Sequence, residues 1–158
     1  MLKLLPILFF AAVNISQISI FEIDGIFSNG HINAIQRYVD ENDLRESNLF
    51  VIQYNASDTS ENSVTELQEL LKDIKTPKAI WVGPNETIVD AGLLKSFDYV
   101  GISPGTTIIN KLSNNEFEFL DQEGIYEGYM VVGSIGAFLE NLGSDNIISN
   151  LSSLEGST

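Results

Sequence analysis

The strongest candidate for a reactive position in this chain is Asp90, set between two short apolar runs within the stretch from Lys78 to Gly105. Ala79-Ile80-Trp81-Val82 is brief, apolar and closed by Gly83-Pro84, so it reads as a buried strand. Ile88, Ala91, Leu94 and Phe97 follow at a spacing near three, which predicts a helix over 88–97. Tyr99 to Ile102 is a second apolar strand, ended by Ser103-Pro104-Gly105. Strand, turn, helix and strand in that order place a side chain at a helix N-terminus, where free backbone N–H groups can hold an oxyanion. Here that side chain is a carboxylate, which a helix N-terminus tends to keep ionised and which is then a weak base.

Other groups offer less. Asp58, Glu61, Asp90 and Asp98 would make a carboxylate pair or a hard-cation site if the fold joined them, but neither EF-hand nor His/Asp/Glu spacing is present. Among 22 acidic residues some proximity arises by chance, so they read as solvated surface carboxylates and no metal is expected. His31, the sole histidine, stands at the start of a helical pattern and reads as a surface residue. Lys111 sits in the polar connection Asn110 to Asn115 and reads as a solvated lysine. There is no cysteine, hence no thiolate nucleophile and no disulfide. Neither a P-loop nor a dinucleotide fingerprint occurs, and no cofactor is implied.

The elements that position Asp90 begin upstream. A chain of 158 residues, 44% apolar, is one domain's worth with a packed core. Its net charge of −14 and pI near 4.1 oppose electrostatic binding of nucleic acid or anionic lipid. Lys3 before the apolar run Leu4 to Val13, then Asn14 and Ser16, has the form of a secretory signal over 1–16, with a buried first strand as the other reading. Gln17 to Ile23 reads as a strand closed at Asp24-Gly25, and His31 to Val39 as a helix. Leu49 to Tyr54 is a strand followed by a polar, turn-forming loop over 55–62. Ser63 and Glu66 suggest a capping box ahead of the stripe Val64, Leu67, Leu70, Leu71 and Ile74. Met130 to Val132 reads as a last strand and Ser134 as the N-cap of a helix with Ile135, Phe138, Leu139 and Leu142 on its apolar face, stopped by Gly143. The segment 144–158 is expected to be a mobile tail, with a docking helix or partner contact through Ile147, Ile148, Leu151 and Leu154 as the other reading, leaving 17–143 as the domain.

Val82-Gly83-Pro84, Ala91-Gly92 and Pro104-Gly105-Thr106 resemble, in order and spacing, the membrane-bound ClpP-class serine proteases of the NfeD family, within the ClpP/crotonase superfamily. In that family the strand ends in a Val-Ala-Pro-Ser-Gly type turn, the helix opens with Ala-Ser-Ala-Gly, whose serine is the nucleophile, and Pro-Gly-Thr closes the next strand. Asp90 stands at the serine position. Ile23-Asp24-Gly25 resembles the family's opening strand, and Phe50 to Pro77 aligns without a gap. The family's Asp-Thr-Pro-Gly-Gly loop, whose glycines give N–H groups to the oxyanion, falls on Asn55-Ala56-Ser57-Asp58-Thr59, so Asp58 and Thr59 replace both glycines. Losing one such donor costs about 10² to 10³ in rate. The helical segment that carries the family's general-base lysine is missing between Thr107 and Phe117-Glu118-Phe119-Leu120. Gly124-Ile125 and the Ser134 to Leu142 helix resemble the family's closing pattern.

The resemblance implies an α/β fold of repeated strand–helix units, a mostly parallel sheet with packed helices, in a truncated, stand-alone form. It implies a vestigial nucleophile position at Asp90, vestigial oxyanion positions at Asp58 and Thr59, and no catalytic residue. The expected role is a non-catalytic, pseudo-protease domain in protein interaction or assembly at the cell envelope, exported to a periplasmic, extracellular or membrane-associated place. Self-association and a stomatin-like membrane protein partner follow from the family; nucleic acid does not. The competing expectation is an active serine-protease-like or crotonase-like hydrolase with displaced residues, Asp90 and Glu86 serving as acid and base.

Overall fold

The computed structural model describes residues 18–42, 48–59, 62–85, 87–111, 117–119 and 129–144. Its elements are β1 (Ile18–Phe27), α1 (Asn29–Asn42), β2 (Leu49–Thr59), α2 (Ser63–Lys72), β3 (Lys78–Val82), β4 (Ile88–Asp90), α3 (Ala91–Leu94), β5 (Tyr99–Ile102), β6 (Thr107–Lys111), β7 (Phe117–Phe119), β8 (Met130–Val131) and α4 (Ile135–Ser144). Five strands form a sheet in the order β1-β2-β3-β5-β8 with every neighbour parallel. A second sheet has the order β4-β6-β7, with β4 parallel and β7 antiparallel to β6. Parallel neighbours demand helical crossovers, which α1 and α2 supply.

Period-two alternation divides the large sheet between two cores. Ile23, Phe27, Phe50, Ile52, Tyr54, Ile80, Val82 and Ile102 face one side, with Ile32 and Ile35 of α1 and Leu67 and Leu71 of α2. Leu49, Val51, Ala79 and Trp81 face the other, where Phe138 and Leu142 of α4 cover them. Each fully buried leucine, isoleucine, valine or phenylalanine among them contributes about 1.5–3 kcal/mol before chain entropy is counted. Trp81 adds an indole N–H bond of 3.1 Å to the Val132 carbonyl, which ties the residue after β8 to β3.

Several elements differ from their sequence expectation. The opening strand continues through Asp24-Gly25 to Phe27, because Gly25 takes φ +72° and a bulge between Gly25 and Ile26 lets pairing with β2 go on. β2 correspondingly continues to Thr59, so 55–59 is strand rather than loop, with Asn55, Ala56, Asp58 and Thr59 paired to β1 and Ser57 at the bulge. The helix expected over 88–97 begins only at Ala91. β-Branched Thr87-Ile88-Val89 favours an extended backbone, and Ile88, Val89 and Asp90 pair with Thr107, Ile108 and Ile109 of β6. A spacing of three fitted helix and strand-plus-turn equally: Val89, Ala91, Leu94 and Phe97 are buried, but Ile88 is exposed. Asn62, not Ser63, is the N-cap of α2, and Ser63 is buried as its first helical residue. α1 starts ahead of His31 and outlasts Val39. Asn110 and Lys111 belong to β6 rather than to a connection. Ser134 does cap α4, its Oγ accepting the Ala137 N–H at 3.1 Å, while the helix runs through Gly143 to Ser144.

Candidate functional site

Asp90 ends β4 and caps α3. Its Oδ1 accepts the Gly92 N–H at 2.6 Å, the N-cap bond that a short polar side chain makes when its own backbone is extended, here φ −79° and ψ 129°. The Gly92 carbonyl in turn accepts from the Gln68 side chain of α2 at 2.8 Å. Both sides of that peptide position are therefore held, one by a carboxylate and one by an amide. An added Cβ at Gly92 would lie 2.8 Å from Asp90 Oδ1, so the glycine is what lets the carboxylate come so close.

The turn before this position is braced from beneath. Gly83 and Pro84 are joined by a cis peptide bond. A Cβ on Gly83 would sit 2.8 Å from the Trp81 ring and 2.9 Å from Ser103 Cβ, so only glycine fits. The buried Ser103 and Thr106 hydroxyls lie 3.1 Å apart, and both Ser103 and Thr87 donate to the Asn85 carbonyl, at 3.4 and 3.1 Å. Thr87 Oγ1 also lies 3.4 Å from Asn55 Oδ1, which links the interior of β2 to the residue just before β4. This polar cluster fixes the strand ends around Asp90.

The other sequence candidates are dispersed. Asp58 is exposed and stands opposite Ile26, and Thr59 stands opposite Phe27, both inside the β1–β2 ladder. Asp98 fastens the starts of β3 and β5: its Oδ2 accepts the Lys78 N–H at 2.9 Å and its own N–H donates to the Lys78 carbonyl at 2.8 Å. His31 is half-buried rather than a freely solvated surface residue; its Nδ1 accepts the Ser28 N–H at 3.4 Å and its ring meets Phe27 edge-on at 6.0 Å. Glu61 and Glu86 lie outside the described residues, as do the 1–16 segment, the Gly124-Ile125 pair and the tail beyond Ser144. Among the described residues no group of three His, Asp or Glu could hold a metal ion.

Gln68 was not singled out by the sequence. It lies 24 residues from its partner Gly92, and an exposed-looking glutamine on a helical stripe gives no local signal of that contact.

Solved structures share this fold. A membrane protease from Pyrococcus horikoshii, specific for a stomatin homolog, superposes with a TM-score of 0.63 at 13% identity, over 80% of this chain and 78% of its own. A putative enoyl-CoA hydratase from Mycobacterium avium paratuberculosis gives 0.59 at 13% identity, over 90% and 76%. The chain has the ClpP/crotonase fold. A probable enoyl-CoA hydratase from Mycobacterium tuberculosis, at 10% identity, gives 0.58 over 88% and 83%, consistent with that fold. No protein-family model matches the chain, and no curated protein matches it significantly in sequence. Within the ClpP/crotonase fold, the carboxylate of Asp90 already occupies the Gly92 N–H, and an anion developing beside it would meet like charge.

Asp90→Ala removes the cap on α3 and is expected to cost about 0.5–2 kcal/mol of unfolding free energy, with Asp90→Asn losing less because an amide oxygen still accepts from Gly92. Chemical denaturation of the two variants beside the wild type checks the order.

Proposed function

We propose that this chain is a non-catalytic, pseudo-protease domain of the ClpP/crotonase fold that works through protein interaction or assembly at the cell envelope. The observation that carries the proposal is the 2.6 Å bond from Gly92 N–H to Asp90 Oδ1: the position where the NfeD-like proteases have a serine holds an anion that satisfies its own helix. The ladder from Asn55 to Thr59 supports the same reading, since residues paired to β1 replace the glycine loop that would face an oxyanion. The matching protease is described as membrane-bound and stomatin-specific, which motivates membrane association and a stomatin-like partner for this chain. Among the described residues no helix is long and apolar enough to cross a membrane. In this proposal residues 1–16 direct export, 17–143 form the domain, 144–158 form a tail, and the domain self-associates.

Turnover of a short-chain p-nitrophenyl ester and of an enoyl-CoA thioester tests the reading. Rates equal to buffer background, unchanged in Asp90→Ala, are expected. Turnover by the wild type that Asp90→Ala abolishes would establish the competing hydrolase with Asp90 as its acid or base.

A further inference from the structure

β1 presents one row of side chains to solvent. Strand alternation puts Ile20, Glu22, Asp24 and Ile26 on the same side, and all four are exposed, the two isoleucines by 47% and 62%. α4 covers the beginning of this sheet face, packing Phe138 and Leu142 on Leu49, Val51, Ala79 and Trp81. Beyond Ile20, which pairs with the buried Val51, the β1 side chains on this face are exposed, and Glu22 and Asp24 stand beside the half-buried Gln53 and Asn55 of β2. Ile26, at the far end, stands beside Asp58. The row spans about 20 Å. Isolated exposed isoleucines are ordinary on a protein surface, whereas two aligned on one strand with carboxylates between them form a patterned surface.

We infer that the Ile20–Glu22–Asp24–Ile26 row is a docking surface for an extended, basic and apolar segment of a partner protein. The inference rests on the interaction-domain reading above and supplies its partner's chemistry. Charge selects the occupant. Neither β1 nor β2 contains a lysine or arginine, so the charged side chains of the row and of its neighbouring strand are all acidic, within a chain of net charge −14. A second copy laid antiparallel on the row would set carboxylates against carboxylates, which opposes self-pairing. A segment with basic side chains between two apolar anchors meets attraction at the centre and burial at both ends. Among the described residues β1 is also an end strand of its sheet, so the docked segment has a backbone edge beside it.

The test uses the full chain and a fluorescently labelled short peptide of alternating valine and lysine, followed by anisotropy at low and moderate salt. Ile26→Ser is expected to weaken binding about tenfold, and Glu22→Gln with Asp24→Asn about tenfold together with loss of the salt dependence. Asp40→Asn with Glu41→Gln, which removes equal charge from the exposed surface of α1, is expected to leave affinity within about threefold. Absence of peptide binding to the wild type, equal binding of an alternating valine–glutamate peptide, or equal weakening by the α1 variant would overturn the inference. So would dissociation of an oligomer by Ile26→Ser with peptide affinity untouched, since the row would then be an interface between copies. Ester or thioester turnover reports separately on the non-catalytic reading, so failure of either idea is recognised without the other.

Discussion

Trp81→Ala is expected to lower the unfolding free energy by about 3–5 kcal/mol, the range for removing a large aromatic side chain from a close-packed core. Trp81 is 1% exposed and stands at the centre of the smaller core, against Phe138 and Leu142 of α4 and beside Val51 and Ala79. Its loss opens a cavity under α4 and leaves the Val132 carbonyl without the indole N–H. For a domain of this size the melting temperature falls on the order of 10 °C. Trp81→Phe separates the two contributions: it keeps most of the apolar contact, loses the hydrogen bond and is expected to cost about 1–3 kcal/mol. Thermal and denaturant unfolding of both variants checks the ranking.

Gly101→Ala is the second large effect. A Cβ at Gly101 of β5 would run into the Phe138 ring, with three ring carbons in its way. Neither side yields easily, since Gly101 is paired in the sheet with Trp81 and Met130 and the Phe138 side chain is completely buried. Overpacking of this kind costs about 1–3 kcal/mol or more and displaces α4 from the sheet. The cause is testable in a cycle: in a Phe138→Ala background, Gly101→Ala is expected to change stability by no more than about 0.5 kcal/mol, because the obstructing ring is gone. A full cost retained in that background would mean that the glycine is required for backbone reasons.

The sheet was legible because its strands are short apolar runs ended by Gly-Pro and Ser-Pro-Gly, and because the parallel arrangement needs the helical stripes found between them. Ser134 was legible as a cap for an equally local reason, the polar residue just ahead of an apolar helical face. What failed depended on partners distant in sequence. Ile88 to Asp90 became a strand because β6 lies alongside, and Asn55 to Thr59 stayed extended because β1 continues beside it past a bulge. No pattern within those segments reveals either neighbour. Asp90 reads as part of a helix over 88–97, whereas it ends β4 and caps α3; its engagement with Gly92 and the bracing of that glycine by Gln68 appear only when α2 is packed against α3.

Labelling with a fluorophosphonate serine-hydrolase probe, on the wild type beside Asp90→Ser, tests most directly whether this ClpP/crotonase domain is non-catalytic. No label on either protein is expected, since the Gly92 N–H is occupied in the wild type and residues 55–59 remain paired to β1 in both. Label on the wild type would show an activated serine elsewhere in the chain, and label on Asp90→Ser alone would show an oxyanion site still intact around position 90; either result would contradict a site dismantled at several points.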